Sequence, residues 1–262
     1  MAKELPKISI ITPSYNQCNF IEETIQSVLS QNYPYLEYII IDGGSTDGTI
    51  NILNKYTKKI IWSSKKDNGQ TDAINKGLKK STGEIVGYLN SDDLYLPGTL
   101  FKIAEYFTKY DVKWLTGSCQ VIDESGKEVR SQITAWKNFW LQNDYFKKNQ
   151  FVLLLILNFI SQPSTFWIRK TMRKIGMFDE SLSFAMDYEY WLRLMKNYRL
   201  GILKEPLASF RIHSKSKSVM YSTRQFNEGY NIAKKYSNSY LIKFLHRVHD
   251  LLTRIIYRIL SS

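Results

Sequence analysis

Several things are scarce in this chain, and each scarcity excludes a class of protein. Two cysteines, Cys18 and Cys119, in 262 residues exclude a disulfide framework; two free thiols in a reducing compartment are expected. An apolar leader is missing. Met1-Ala2-Lys3-Glu4-Leu5-Pro6 is charged and runs straight into a strand-like segment, so no signal peptide is expected. Long hydrophobic runs are missing too. The longest, Phe151–Leu157 followed by Phe159-Ile160, is about half of what a bilayer requires, and no membrane span is expected. There is no internal repeat and no low-complexity linker. Acidic residues are scarce in one place: residues 196–262 hold 13 basic and 3 acidic side chains, a net of +10, against 23 and 21 in residues 1–195. The last quarter is therefore a basic block, which suits an anionic partner or a solvated surface.

What is present is a core. With 44% hydrophobic and 14% aromatic residues, a chain of this length hides roughly 70–75% of the surface its unfolded form exposes. The hydrophobic pattern alternates between two periods. Lys7–Thr12, Tyr38–Ile41, Ile60–Trp62 and Ile85–Leu89 are short β-branched runs, apolar on both faces. Between them, segments starting near Asn19, Thr46 and Thr71 carry apolar residues at helical spacing, and Asn19 with Glu22 forms a capping-box pattern. Four such alternations predict a mostly parallel α/β sheet flanked by helices. Further on, Trp114–Ile122 and Lys127–Ile133 flank Asp123-Glu124-Ser125-Gly126 as in a hairpin, 136–160 is expected to be helical, Ser164–Ile168 reads as a strand and Asp187–Lys196 as a helix.

In an open parallel sheet, ligands bind beyond the carboxyl ends of the strands. At those ends stand Tyr15-Asn16, Asp42 and Asp92-Asp93. Adjacent carboxylates repel, so the Asp92-Asp93 pair points to a divalent cation, Mn2+ or Mg2+, completed by phosphate oxygens and water. The plainer alternative is a turn capping the helix that starts near Pro97. Asp187 and Glu189 both lie at a helix start, where the dipole favours carboxylates; either is a dipole complement or a general base. His213 follows a strand-like segment, with Arg211 and Lys215 on either side. Asn16, Gln70 and Asn75 are pocket members or ordinary caps. Gly43-Gly44-Ser45 is not G-x-G-x-x-G, which argues against a dinucleotide oxidoreductase.

Taken in order, SIITPSYN (9–16), IIIDGGSTDGT (39–49), DNGQTDAINKG (67–77) and GYLNSDD (87–93), then SQPSTFWIRK (161–170), GMFDE (176–180) and MDYEYWLR (186–193), resemble the family 2 glycosyltransferases of GT-A fold. The resemblance covers residues 7–215. It implies a catalytic domain over 1–215, with a nucleotide-binding half (1–95) and an acceptor half (96–215), and a basic helical extension over 216–262. It implies that Pro13 and Tyr15 line the nucleobase pocket with Asn16 beside them, that Asp42 bonds base or ribose, and that Asp72 lies near the base. It puts Asp92 toward the ribose, Asp93 on the metal and Asp187 in the role of base, with Glu189 a second candidate that shapes acceptor binding. Several members place a histidine where His213 stands, on the metal or the diphosphate; Arg211 and Lys215 would then neutralise the departing diphosphate. The activity implied is inverting transfer of one hexosyl or hexosaminyl unit from a nucleotide-diphosphate sugar, UDP-linked by preference, to a glycan or lipid-linked glycan in surface polysaccharide biosynthesis. Two departures stand out. Gly43 occupies a position where many members have a second acidic residue, and the Q-x-x-R-W motif of processive synthases is absent. A sugar-nucleotide nucleotidyltransferase would need a glycine-rich basic loop after the first strand, and Pro13-Ser14-Tyr15-Asn16 is not one. A catalytically inactive sugar-binding scaffold is the other alternative.

Residues 240–260 form an amphipathic pattern, with apolar residues at 241, 244, 245, 248, 251, 252, 255, 256 and 259 and with Lys243, Arg247, Arg254 and Arg258 on another face. Three readings stay open: an anionic membrane surface, a homodimer contact, or a cover for the core. The first implies a cytoplasmic enzyme held peripherally at the inner face of the cell membrane. Nucleic acid is not expected as a partner, since no binding module is recognisable.

Overall fold

In the computed structural model, which describes residues 4–129, 131–142 and 149–259, the β-branched runs become one eight-stranded sheet of order β3-β2-β1-β4-β7-β6-β8-β5. The strands are β1 (Ile8–Ser14), β2 (Leu36–Asp42), β3 (Ile61–Ser64), β4 (Ile85–Tyr88), β5 (Leu94–Tyr95), β6 (Trp114–Ile122), β7 (Thr165–Ile168) and β8 (Leu200–Arg211). The first four are mutually parallel; β7 is antiparallel to both β4 and β6, β6 and β8 run parallel, and β5 closes the edge antiparallel to β8. The register matters for function. Ser14 pairs with Asp42 and Asp42 with Ser64, so β1, β2 and β3 finish level and their following loops share one edge.

Successive residues point to opposite faces, and each face has its own core. Ile10, Ile85, Leu115 and Phe166 pack with Ile21, Ile25 and Val28 of helix α1 (Ile21–Leu29) and Leu100 and Ile103 of α4 (Thr99–Lys109). Their neighbours Ile11, Val86, Trp114 and Trp167 pack on the other face with Ile74 and Leu78 of α3 (Gln70–Lys80) and with α6 (Gln150–Leu157) and α8 (Met186–Asn197). On the α1 face, α2 (Thr49–Lys55) buries Leu53. Gly77 lets α3 sit directly on β1: a Cβ there would come within 2.4 Å of the Ile11 side chain. Under α8 lies an aromatic stack, with Phe178 and Tyr190 face to face at 4.0 Å and Trp167 5.3 Å from Tyr190. Such pairs are worth about 0.5–1.5 kcal/mol each beyond their buried area, and they fix the helix that opens at Asp187.

The remaining helices are α5 (Ser131–Gln142), α7 (Met172–Ile175), α9 (Lys217–Met220), α10 (Ser222–Tyr236) and α11 (Tyr240–Ile259). Ile232 and Ala233 of α10 join the core beside α8. No helix among the described residues is long and apolar enough to cross a membrane; Leu260 and the side chains of 256–259 lie outside the described residues.

Two local expectations fail. The Asn19–Glu22 capping box does not form: α1 begins at Ile21 with no side-chain cap, and Glu22 instead accepts from Lys55 and the Tyr56 hydroxyl. The return strand of the 114–133 hairpin reduces to one bridge, Ile122 with Glu128. Asp123 folds the turn by accepting from the amides of Ser125 and Lys127. From Ser131 the chain is helical and lies over β6, where Thr134 donates to the Cys119 carbonyl at 3.2 Å; residue 130 lies outside the described residues. The Asp92-Asp93 pair does not cap the next helix either, since α4 starts at Thr99 with Gly98 before it and no side-chain cap.

At the opposite edge of the sheet from the strand ends, Glu37 ties β1, β2 and the α3–β4 loop together. It accepts from Lys7 (2.9 Å), Ser9 (2.5 Å) and both the hydroxyl and the amide of Thr82 (2.6 and 2.7 Å). Burial alone would raise its pKa, but these hydrogen bonds outweigh burial and hold it at about 2. A folded-state value below the unfolded one stabilises above the unfolded pKa and is lost as pH falls through the folded one. Urea denaturation should therefore show stability falling between pH ~4.5 and ~2, by an amount on the order of 2 kcal/mol for this group. Glu37→Gln should flatten that part of the profile, and an unchanged profile would remove Glu37 from the account.

Candidate active site

The level strand ends place the candidate residues on one rim. Pro13 lies inside β1, buried and opposite Ile41, while Tyr15 just beyond it is 62% exposed. Asn16 takes a left-handed conformation (φ 53°) that ties two loops together: its amide donates to the Ser45 hydroxyl at 2.7 Å, and its Oδ1 accepts from the Thr46 amide at 2.9 Å. Asp42 is buried and heavily engaged. Its carboxylate accepts from the amides of Gly44 and Ser45 and from the hydroxyls of Ser45 and Ser64. Sequence reasoning pointed Asp42 at base or ribose; here it braces the Gly43–Ser45 turn. A Cβ at Gly43 would lie 3.0 Å from the carboxylate oxygens of Asp67, so the β3–α3 loop puts a carboxylate against the backbone where Gly43 has no side chain. Asp72, in the first turn of α3, accepts from Lys76 at 2.8 Å and from the Asn68 amide at 2.9 Å, and both bonds lower its pKa.

The Asp92-Asp93 turn is held by Arg211 at the end of β8. Arg211 is 1% exposed. Its amide donates to Asp93 Oδ1 at 2.9 Å, Nε to the Asp92 carbonyl at 3.0 Å, Nη1 to the Glu124 carbonyl at 2.8 Å and Nη2 to Glu23 at 2.5 Å, with Phe20 under the guanidinium. All of this turns the side chain inward, away from the diphosphate role expected from sequence. Asp93 is fully buried, its second oxygen accepting from Asn90 at 3.1 Å. Burial, then the neighbouring Asp92 charge, push its carboxyl well above the usual range. Asp92 is the more open of the two, and its Oδ2 lies 3.0 Å from His213 Nε2. The His213 ring packs on Phe20 at 4.5 Å, and its amide donates to the Ser216 hydroxyl. Lys215 is exposed two residues on. A hard divalent cation held by one or two protein groups and completed by phosphate and water suits one carboxylate oxygen converging with one imidazole nitrogen. Asp92 and His213 have that geometry, and Asp93 stands behind them, spent on Arg211 and Asn90. Among the described residues no cluster of three or more acidic, histidine or cysteine groups forms a closed metal cage, so the rest of the coordination shell would come from the ligand.

Across the rim stands Asp187, half-buried in the first turn of α8, with its Oδ1 accepting the amide of Tyr188 at 2.7 Å. The two carboxylate groups meet at Tyr88, the last residue of β4. Its phenol is pushed well up by burial, then by Asp187 and by Asp93, so both lie within electrostatic reach of one side chain. Glu189 behaves differently. It takes Arg193 through Nε and Nη2 at 2.7–2.9 Å and the Tyr236 hydroxyl at 2.8 Å, while Arg193 also donates to the carbonyls of Ile175 and Met177. With its lone pairs directed into this network, Glu189 is a strut between α8 and α10.

Four residues that sequence reasoning gave no role complete the site. Asn90 donates to Gln162 as well as to Asp93 and accepts from Gln70, while Gln162 donates to the Tyr88 carbonyl. Lys217 donates to Gln70 and to the Ser183 carbonyl. A polar chain thus runs from α9 across α3 to the Asp92-Asp93 turn. Glu228 of α10 accepts from the amides of Ser183, Phe184 and Ala185 at 3.0, 2.7 and 2.6 Å, fixing the loop that leads into Asp187. Asn75, by contrast, is a brace on the 178–180 segment. Only tertiary contact reveals Glu228, since nothing near it in sequence marks a site; Gln162 lies in the SQPSTFWIRK segment, but its partners appear only in the fold.

A mixed sheet with carboxylates and a histidine gathered at its strand ends is the arrangement expected of a GT-A fold. The chain belongs to glycosyl transferase family 2, whose sequence profile matches residues 9–176. An uncharacterised glycosyltransferase of Rickettsia typhi is 32% identical over 79% of this chain and 64% of its own length, and one of Rickettsia felis is 30% identical over 87% of the chain and 37% of its own length; the chain thus spans between about a third and two thirds of these relatives. A putative teichuronic acid biosynthesis glycosyltransferase of Bacillus subtilis, TuaG, is 30% identical over 80% of the chain and 81% of its own length. Among solved structures, S. aureus TarS in complex with UDP-GlcNAc superposes with a TM-score of 0.69 at 22% identity, over 89% of this chain and 67% of that one. The Pyrobaculum calidifontis mannosyltransferase PcManGT, in complex with GDP-Man and Mn2+, gives 0.70 at 19% identity, over 94% and 70%. These two similarities carry the fold.

Glu228→Ala leaves three loop amides without their acceptor, a loss of roughly 1–3 kcal/mol. The unfolding midpoint should drop by a few degrees, and turnover should fall by roughly tenfold through a misplaced Asp187. Nucleotide affinity, read by calorimetry, should stay unchanged; a loss of nucleotide binding instead would put Glu228 on the donor side.

Proposed function

We propose that the chain is a metal-dependent, inverting glycosyltransferase that moves one sugar from a nucleotide-diphosphate donor, UDP-linked by preference, to a hydroxyl of a glycan or lipid-linked glycan in surface polysaccharide biosynthesis. The observation that carries this reading is the Asp92–His213 pair at 3.0 Å, backed by Asp93, with Asp187 and Asp93 both acting on the buried Tyr88 phenol. The TuaG relative supports the surface-glycan setting, and the UDP-GlcNAc and Mn2+ complexes of the two structural neighbours support donor and metal. A cytoplasmic enzyme at the inner face of the cell membrane fits an acceptor carried on lipid.

The geometry supports the following roles. Tyr15 offers an exposed ring for the nucleobase, with the Asp42-braced turn, Asn16 and the Asp72–Asn68 loop around it. Asp92 and His213 would hold the cation, which when bound neutralises the charge that builds on the departing diphosphate. Lys215 meets the same charge from the exposed side. Asp93 and Arg211 keep Asp92 in place. Asp187 takes the proton of the acceptor hydroxyl as its oxygen attacks the anomeric carbon from the side opposite the leaving diphosphate, which inverts the configuration.

Asp187→Asn keeps shape and hydrogen bonding but removes basicity. Steady-state transfer should fall by ~10²–10⁴ with nucleotide affinity nearly constant. Glu189→Gln should show its effect as lost thermal stability; transfer near the wild-type rate for Asp187→Asn beside a dead Glu189→Gln would reverse the two roles. For the cation, UDP titrated with Mn2+ and with EDTA should bind roughly tenfold or more tighter with metal, and Asp92→Ala or His213→Ala should each erase that difference. Equal affinity in both solutions for the wild type would sink the metal role. A panel of nucleotide sugars scored for nucleotide release reads the donor directly.

A further inference from the structure

The helix α11 is docked with its polarity reversed. The side it turns to the protein carries polar groups beside Ile242, which packs on the core: His246 and Asp250 are buried, with His246 Nδ1 donating to the Leu155 carbonyl at 2.6 Å and Nε2 lying 3.5 Å from Asp250. The side it turns outward is apolar. Leu241, Phe244, Leu251 and Leu252 are 65, 63, 59 and 54% exposed, and Val248 and Ile255 complete the arc. At 100° per residue these six positions fill one continuous face. The polar anchor fixes this orientation, because rolling the helix over would bury Arg247 and break the Leu155 bond.

Both flanks of the apolar face are furnished. On one, Arg247 lies 3.6 Å above the Tyr230 ring and Arg254 4.8 Å above Phe226, with Lys243 beside Tyr240, so a row of cations stands along the α10–α11 groove. On the other, Trp136 of α5 stacks on His249 at 5.5 Å, and Phe139 next to it is exposed. An apolar strip edged by a cation row and an aromatic rim matches the order of layers at a lipid–water interface: acyl chains, then the level where tryptophan settles, then anionic headgroups. A second copy of the chain would bring the same cations to the same face, within a segment of net charge +10, and repel.

We propose that α11, with Trp136 and Phe139 of α5, is the surface by which this protein docks onto an anionic lipid bilayer, apolar face inward and Lys243, Arg247 and Arg254 against the headgroups. The location of this surface goes beyond the catalytic reading and does not depend on it. The Leu155 carbonyl that anchors His246 also accepts the Tyr188 hydroxyl at 3.2 Å, and Tyr188 follows Asp187. The docking helix and the helix that carries Asp187 thus share one carbonyl as an anchor.

Co-sedimentation of the full chain with phosphatidylcholine vesicles, with and without phosphatidylglycerol, tests this. The wild type should partition onto the anionic vesicles, less onto neutral ones, and less at high salt. Phe244→Glu with Leu251→Glu, both at exposed positions, should lower that partitioning by roughly tenfold to hundredfold, with circular dichroism and nucleotide binding unchanged. Arg247→Glu with Arg254→Glu should weaken binding to anionic vesicles and leave the weak binding to neutral ones. The proposal is overturned if the wild type fails to partition, or if the Phe244/Leu251 variant partitions equally. It is also overturned if sedimentation velocity shows a dimer that this variant dissociates. Because partitioning is read without turnover, loss of the catalytic reading would leave this result standing.

Discussion

One buried guanidinium organises the catalytic rim. Arg211 ends the long strand β8 and reaches the Asp92-Asp93 turn, the 123–125 loop and α1 in a single side chain. Its own amide fixes Asp93. Two adjacent carboxylates at a strand end would otherwise spring apart, and one of them carries no solvent to relieve it. Removing one partner from such a buried set typically costs about 3–5 kcal/mol. The order of events is therefore structural before it is chemical: Arg211 and Asn90 hold Asp93, Asp93 holds the turn, and the turn presents Asp92 to His213. The α8 side of the rim follows the same logic. Arg193 engages Glu189 and two carbonyls, Glu228 fixes the incoming loop, and Asp187 is left at the tip of a helix that an aromatic stack cannot let rotate.

The parallel half of the sheet was legible because its signals are local. A strand apolar on both faces reads as a run of isoleucines, and the polar residues that interrupt it mark the strand's end. Asp42 and Asp92 were found that way, whereas Asp187 was marked by a helix start and by the family resemblance. The division of labour among neighbours was not legible, because it depends on which way a side chain turns. Asp92 and Asp93 are adjacent and identical in type, so sequence gave them their roles by analogy; in the structure the buried one faces Arg211 and the open one faces His213. Arg211 and Lys215 were read as a pair of cations for the same diphosphate, yet one is 1% exposed and the other lies in solvent. The 127–133 segment misled for a different reason. Its β-branched residues flank a good turn, but α5 takes the chain across β6 instead of along it. Glu228 and Tyr236 carry no motif and lie some forty residues from the helix they support, in the segment that sequence reading set aside as an extension.

Reversed polarity in α11 follows from the same economy. Amphipathic periodicity shows that a helix has two faces and is silent on which one the protein keeps. Nothing in the sequence singled out His246; in the fold it ties the helix to the Leu155 carbonyl, and most of the apolar residues are left facing outward. A helix held by hydrogen bonds keeps its orientation whether or not its greasy side is covered, so docking it would not require refolding it.

Gly43 and Asp67 show how one loop can fill a place left by another. Against the family pattern, Gly43 stands where many members have a second acidic residue. In three dimensions a carboxylate is there, supplied by the β3–α3 loop, and its oxygens lie 3.0 Å from where a Cβ at Gly43 would stand. Placing an acidic residue at position 43 would therefore crowd two negative charges into one space. The exchange would be tolerated only if Asp67 changed in the same step, which ties the chemistry of one loop to that of the other.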